Sequence, residues 1–278
     1  MENDDEPVGR ILSRREVLKL LGAASAAILV GCGPEQNTAV PTTAATSVSQ
    51  AATGGATAVA ATATTIPATE AIVATQASST AVPTCVVRPE LTEGPYFVDG
   101  QVERADIRSD PATCVVSEGA LLALTFNVSQ IGNGGCTPLP GAVVDVWHCD
   151  ALGVYSGVSD PGFDTSEQYF LRGYLLTDAN GMAKFTTIYP GWYSGRTTHI
   201  HFKIRTDPAS AAGYEFTSQL FFDEALTDEV HAKEPYASKG YRNTLNSNDN
   251  IYNDQLLLAA GPSNEGYTAT FDIALDLN

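Results

Sequence analysis

Two histidines stand two positions apart in YPGWYSGRTTHIHFKI, residues 189–204 of a 278-residue chain. From His199 to Arg205 polar and apolar residues alternate as in a β-strand. That alternation puts His199, His201, Lys203 and Arg205 on one face and Ile200, Phe202 and Ile204 on the other, where they can enter a core. Two imidazoles about 7 Å apart along a strand can reach one metal ion, and histidine is the commonest metal ligand. Such a pair also occurs as plain hydrogen-bonded strand residues. Here Pro190-Gly191, a turn signal, precedes it, followed by Trp192, Tyr193 and Arg196. On the pair alone, a zinc hydrolase using His199 and His201 is one reading.

The elements that must hold this strand begin at Cys85, where the composition becomes that of a globular domain. Leu122, Leu124, Phe126 and Val128 alternate, as do Val144 and Val146 against Val143, Asp145 and Trp147, and Phe185 with Thr187 and Tyr189. The cleanest run is Tyr267, Ala269, Phe271, Ile273, Leu275 and Leu277. Turn signals separate these runs, at Asn133-Gly134-Gly135, Asp178 to Gly181 and Pro190-Gly191. Short strands between turns predict an all-β fold, a β-sandwich core with long loops near 156–170 and 235–255 and little helix, one stretch near 225–233. About 190 residues suffice for a single domain, 85–278, with a real core.

What precedes Cys85 is not fold material. Ser13-Arg14-Arg15-Glu16-Val17-Leu18-Lys19 is a twin-arginine pattern, and an uncharged run from Leu20 to Gly31 follows it. Leu29-Val30-Gly31-Cys32 looks like a lipobox, so residues 1–32 read as a twin-arginine lipoprotein signal with a lipid anchor at Cys32. That places the domain outside the cytoplasm, on the outer face of the membrane. Residues 33–84, rich in Ala, Thr and Ser with recurring Pro, read as a disordered tether with a span of roughly 40 Å.

With Cys32 taken by lipid, Cys85, Cys114, Cys136 and Cys149 remain, an even number in an exported domain, and two disulfides are expected. Cys136 with Cys149 is the least favoured pair, because an intervening strand of about seven residues holds its ends some 20 Å apart. A cysteine metal site has no Cys-x-x-Cys spacing to support it. Residues 85–278 carry 11 Lys and Arg against 25 Asp and Glu. Phosphates demand a basic surface, so nucleic acid is excluded as a partner, and anionic lipid is not bound by charge. The membrane is met only through the anchor.

PGWY…R-x-x-HIHF resembles the ligand strand of the intradiol ring-cleavage dioxygenases, non-haem ferric enzymes that open catechols between the two hydroxyls. PLPGAVVDVWHCDALGVYSG, 138–157, is similar to the family's other motif, ending in a ligand tyrosine, and TEGPYF, 92–97, to its substrate-side loop. SQLFF, 218–222, carries Gln219 where the family often has a glutamine near the metal. The resemblance implies Fe(III) held by Tyr155, Tyr193, His199 and His201, an aromatic diol and O2 as substrates, and a muconate-type diacid as product. It further implies that Tyr193 gives way to the substrate and takes up a proton, that Arg196 stabilises charge on the ring with help from Gln219, and that Thr92 and Tyr96 wall the pocket. His148 and His231 read as structural. A free phenol has a pKa near 10, so two ionised tyrosines require a strong Lewis acid, which separates this reading from zinc. PLPGAVVDVW also resembles transthyretin-like sandwiches, which leaves a non-catalytic binding module as a further alternative. The helical dimerisation segment of many members has no counterpart here, so their oligomeric state does not carry over. The acidic balance points to an uncharged catechol, with Arg104 and Arg108 the candidates for a carboxylate clamp if that is wrong.

Overall fold

The computed structural model describes residues 85–99, 102–207 and 213–277. The signal at 1–32 and the tether at 33–84 lie outside the described residues. Within them the strands are β1 (Leu121–Gly132), β2 (Gly135–Pro138), β3 (Val143–Trp147), β4 (Ser159–Asp160), β5 (Phe163–Asp164), β6 (Arg172–Leu176), β7 (Met182–Ile188), β8 (His199–Arg205), β9 (Glu215–Phe221), β10 (Ala260–Ser263) and β11 (Gly266–Leu275). Among the described residues one α-helix, α1 (Glu224–His231), falls where the sequence predicts it, and three short 3₁₀ turns lie between residues 236 and 256. The 156–170 loop holds only the two-residue strands β4 and β5.

The strands form an all-β sandwich. In the first sheet β1 is central: β11 runs parallel along one edge, while β7 and then β2 pair antiparallel along the other, and β10 extends β11. The second sheet is antiparallel in the order β6-β3-β8-β9. Leu122, Leu124, Phe126 and Val128 of β1 face Val144 and Val146 of β3 and Ile200, Phe202 and Ile204 of β8 in one core. Phe126, Phe202 and Phe271 lock the two sheets at ring separations of 5.2–6.0 Å. Each such fully buried side chain contributes about 1.5–3 kcal/mol.

The other face of the second sheet is also buried, which alternation alone does not reveal. Residues 89–99 cross it as a strap. Leu91 N donates to Thr217 O and Ser218 Oγ to Pro89 O, and Phe97 packs on Trp147 with ring centres 4.9 Å apart. Lys203 clamps the strap by ion pairs to Glu93 at 2.5 Å and Glu215 at 2.7 Å. His201, Trp147 and Asp145 are therefore each within 1 % of full burial.

The expected pair of disulfides among Cys85, Cys114, Cys136 and Cys149 is corrected. Cys85 bonds to Cys136 and ties the start of the domain to β2, but Cys149 is a free, buried thiol. It sits just beyond β3 beneath the Tyr155 loop, where its thiol donates to Gly191 O at 3.6 Å. Its packing against Trp147 and Tyr155 takes the place of a disulfide partner.

Candidate metal centre

The buried outer face of the second sheet presents one transverse row. Arg172 of β6 lies opposite Trp147 of β3, Trp147 opposite His201 of β8, and His201 opposite Gln219 of β9. His201 stacks on Trp147 with ring centres 5.1 Å apart and planes within 7°. His199 lies two residues back on the same face, its Nδ1 donating to Thr197 O at 2.6 Å. That bond fixes the tautomer and leaves Nε2 as a bare lone pair aimed into the site.

Two loops bring phenols to the same point. Asp150 accepts from Leu152 N at 2.9 Å and Val154 N at 2.8 Å and so folds the loop after β3 that ends in Tyr155. The Pro190-Gly191 turn carries Tyr193, and His231 of α1 holds it by donating Nε2–H to Pro190 O at 3.0 Å. The loops interlock through two glycines. Gly191 N donates to Asp150 O at 3.1 Å, and a Cβ at Gly191 would collide with the carbonyls of Asp150 and Ala151. Gly153, at φ +80°, is pressed against the Trp192 carbonyl.

Four donor atoms converge as a result. Tyr155 Oη lies 3.4 Å from His199 Nε2, Tyr193 Oη 3.3 Å from the same atom, and His201 Nε2 3.0 Å from it. Ligands about 2.1 Å from one ion are about 3.0 Å apart at right angles and about 3.4 Å apart at tetrahedral angles, so these spacings suit a shared metal. The electrostatics agree. Burial lowers the pKa of His199 to about 3 and that of His201 well below the usual range, and it raises both phenols far above theirs. Without a cation the cluster is therefore wholly neutral, with His201 Nδ1 buried and lacking a hydrogen-bond partner. A multivalent cation reverses that balance, since it favours phenolate and bare imidazole together. Among the described residues no group of three His, Cys, Asp or Glu side chains could hold a metal, so the tyrosines are needed to complete the set. Two phenols with two imidazoles are the donors of a hard trivalent ion, and the residues fit ferric iron.

Arg196 lies beside this cluster between two partners. Its Nη2 donates to Gln219 Oε1 at 2.6 Å and its Nε to Asp249 Oδ2 at 2.9 Å. Gln219 is itself held by donation to Thr92 O at 2.9 Å. Asp249 also accepts from Thr197 N and Ile251 N, both at 2.8 Å. Burial opposes its charge, but these N–H groups and the guanidinium outweigh burial and hold the carboxyl below its usual range. Tyr96 stacks on Tyr155 at 4.4 Å, stands edge-on to Tyr193 at 6.0 Å, and donates its hydroxyl to Asp160 at 3.0 Å. Thr92 contributes its carbonyl to Gln219, and its hydroxyl accepts from Gly94 N, so it shapes the strap.

The histidines set aside from the sequence are accounted for locally: His148 bonds to Cys149 O and Thr187 Oγ1, and His231 to Pro190 O. Arg104 and Arg108 are engaged elsewhere. Arg104 donates to the carbonyls of Ser109, Tyr169 and Arg172, and Arg108 pairs with Asp106. Sequence reasoning missed Arg172, Trp147, Asp160 and Asp249. The first two had a signal in the strand register. Asp249 had none, being 53 residues from Arg196.

Residues 92–277 match the family model described as dioxygenase. Among curated relatives, a chlorocatechol 1,2-dioxygenase of Pseudomonas putida is 29% identical over 167 residues, 53% of this chain and 56% of its own length. A catechol 1,2-dioxygenase of Acinetobacter lwoffii is 31% identical over 160 residues, 49% of this chain and 51% of its own. The chain thus spans about half the length of the curated relatives it matches. Among solved structures, an intradiol ring-cleavage dioxygenase from Tetranychus urticae superposes with a TM-score of 0.59 at 29% identity, covering 69% of this chain and 96% of that one.

Proposed function

This chain belongs to the intradiol ring-cleavage dioxygenase family, and from that premise we propose that it opens a catechol-type diol between its hydroxyls with O2 to a muconate-type diacid. The observation that carries the reading is the convergence of two phenol oxygens on two imidazole nitrogens within 3.4 Å. Tyr155, Tyr193, His199 and His201 would hold Fe(III). The bound ion would supply a Lewis acid that takes both diol oxygens and draws electron density from the ring.

The chain's residues do the rest. Tyr155 is 1% exposed and stays in place, whereas Tyr193 stands on the more open loop and takes a diol proton at Oη. Arg196, held by Gln219 and paired with Asp249, offers guanidinium N–H donors where negative charge develops on the reacting ring. The strap keeps water from the His201 side, and Tyr96 forms a flat wall over Tyr155. Catechol and O2 together contain every atom of the diacid, so the reaction needs no other oxidant.

The test is to supply 18O2 to iron-loaded protein with catechol. One product oxygen from each atom of O2 and ring opening between the hydroxyls are expected. The same preparation is expected to be coloured by phenolate-to-iron charge transfer, with about one iron per chain by elemental analysis. Colourless protein holding stoichiometric zinc would overturn the reading in favour of a hydrolase.

Export by the twin-arginine route with a lipid anchor at Cys32 completes the proposal, and it rests on the Arg14-Arg15 and Cys32 signals. Replacing Arg14 and Arg15 together by Lys is expected to trap precursor in the cytoplasm, and Cys32→Ser to yield an unlipidated form. Normal export of the double-lysine variant, followed by cell fractionation, would point to the general secretory route.

A further inference from the structure

We propose that two carboxylates, Asp249 and Asp160, make this pocket select uncharged diols over carboxylated ones, Asp249 by cancelling the charge of Arg196 and Asp160 by placing a negative charge on the pocket wall. The inference rests on the catechol-cleaving reading above and deepens it.

Asp249 reaches the site from the 235–255 loop. It is 1% exposed in its side chain and faces Arg196 at 2.9 Å, while Arg196 is 16% exposed on the side left free. The pair is thus close to neutral as seen by a ring substituent. Asp160, on the β4–β5 hairpin, accepts from Tyr96, whose ring lies against Tyr155 and Tyr193.

Among the described residues the other cations around the donors are already engaged. Lys203 is bound to Glu93 and Glu215, and Arg205 to Asp145 and Asp99. Arg172 is buried behind Tyr155, directed at the carbonyl and hydroxyl of Ser156. Lys239 lies over Trp192 and donates to Leu152 O, on the outside of the tyrosine loops. A carboxylate on the ring would therefore be desolvated beside two acidic groups, while Arg172, which has no carboxylate partner, is 1% exposed and lies behind Tyr155, out of its reach.

The experiment compares catechol with protocatechuate in turnover, and 4-methylphenol with 4-hydroxybenzoate in calorimetric binding to the iron-loaded protein. The wild type is expected to favour the uncharged member of each pair. Asp249→Asn keeps the side-chain shape and exposes the Arg196 charge. Asp160→Asn removes the wall charge from a surface hairpin, so it serves even if Asp249→Asn does not fold. Each is expected to shift both ratios toward the anion by about tenfold or more, the order of one unit charge acting 5–8 Å away in a partly wet site. Asp249→Glu, which keeps the charge, is expected to restore the wild-type preference. A merely structural loss lowers both members of a pair alike. Wild-type preference for the carboxylated member, or ratios unmoved in both variants, would overturn the inference while leaving ring cleavage intact. Iron-loaded wild type that binds these phenols but opens neither diol would refute the catechol reading instead, and the binding ratios would still decide the charge selection.

Discussion

Tyr155→Phe and His201→Ala each leave a folded protein with less than about a tenth of the wild-type iron. These are donor atoms rather than their supports, and losing a support alone costs about 10–100-fold in metal affinity. Tyr155→Phe is the sharper test, because it deletes one oxygen and keeps the ring that Tyr96 stacks on at 4.4 Å. In metal-free protein the hydroxyl has only Tyr193 and, at a long 3.4 Å, His199 Nε2 as hydrogen-bond partners. Thermal unfolding of apo Tyr155→Phe is therefore expected within a few degrees of the wild-type temperature, even as iron, colour and ring opening are lost. His201→Ala also removes the stack on Trp147 and is expected to unfold earlier. Stoichiometric iron with an unchanged visible band in Tyr155→Phe would remove that residue from the ligand set.

Gly153→Ala and Gly191→Ala are expected to have effects nearly as large, although neither residue touches a donor. Gly153 adopts φ +80°, a left-handed conformation that costs an alanine about 1–2 kcal/mol before any collision. Its new methyl would then meet the Trp192 carbonyl, and that of Gly191→Ala would meet the carbonyls of Asp150 and Ala151. Backbone oxygens cannot swing aside as side chains do, so the loops must part. Parting them separates Tyr155 Oη from Tyr193 Oη. The expected result is a loss of about 2–4 kcal/mol of stability in chemical denaturation. Iron affinity is expected to fall with it, and added iron to restore only part of the stability. A Gly191→Ala protein with unchanged iron content and unfolding midpoint would show that the two loops are independent.

The strand carrying the histidines was legible because alternation in HIHFKIR assigns each side chain to a face, and Ile200, Phe202 and Ile204 do enter the core. The turns were legible for a similarly local reason, glycines at the chain reversals, and the helix expected near 225–233 does form, capped by Asp223. Alternation tells side but not depth. It gave no sign that Lys203 and Asp145 would be buried beneath residues 89–99, because that cover is set by contacts more than 100 residues apart in sequence. The cysteine parity argument failed for a related reason. Counting thiols ignores that one of them can be a small apolar residue in a packed cluster, as Cys149 is between Trp147 and Tyr155. Bringing Tyr155 and Tyr193 onto the histidines rested on a motif resemblance, since nothing in their own spacing says that two loops interlock. Asp249 was invisible for want of any local pattern.

The four donors differ in how they are anchored, and this bears on amide hydrogen exchange. His199 and His201 belong to β8, which is hydrogen-bonded on both sides, to β3 and to β9. Their amides open only with the sheet, close to the global unfolding free energy. Tyr155 and Tyr193 stand on loops outside any strand ladder and open with far smaller excursions. The centre is thus half slow-exchanging and half fast, and ion uptake and release would proceed through the phenol side while the imidazoles keep their places. Metal-free protein would then hold a preformed pair of nitrogens, with protection lower at 150–155 and 191–196 than along β8.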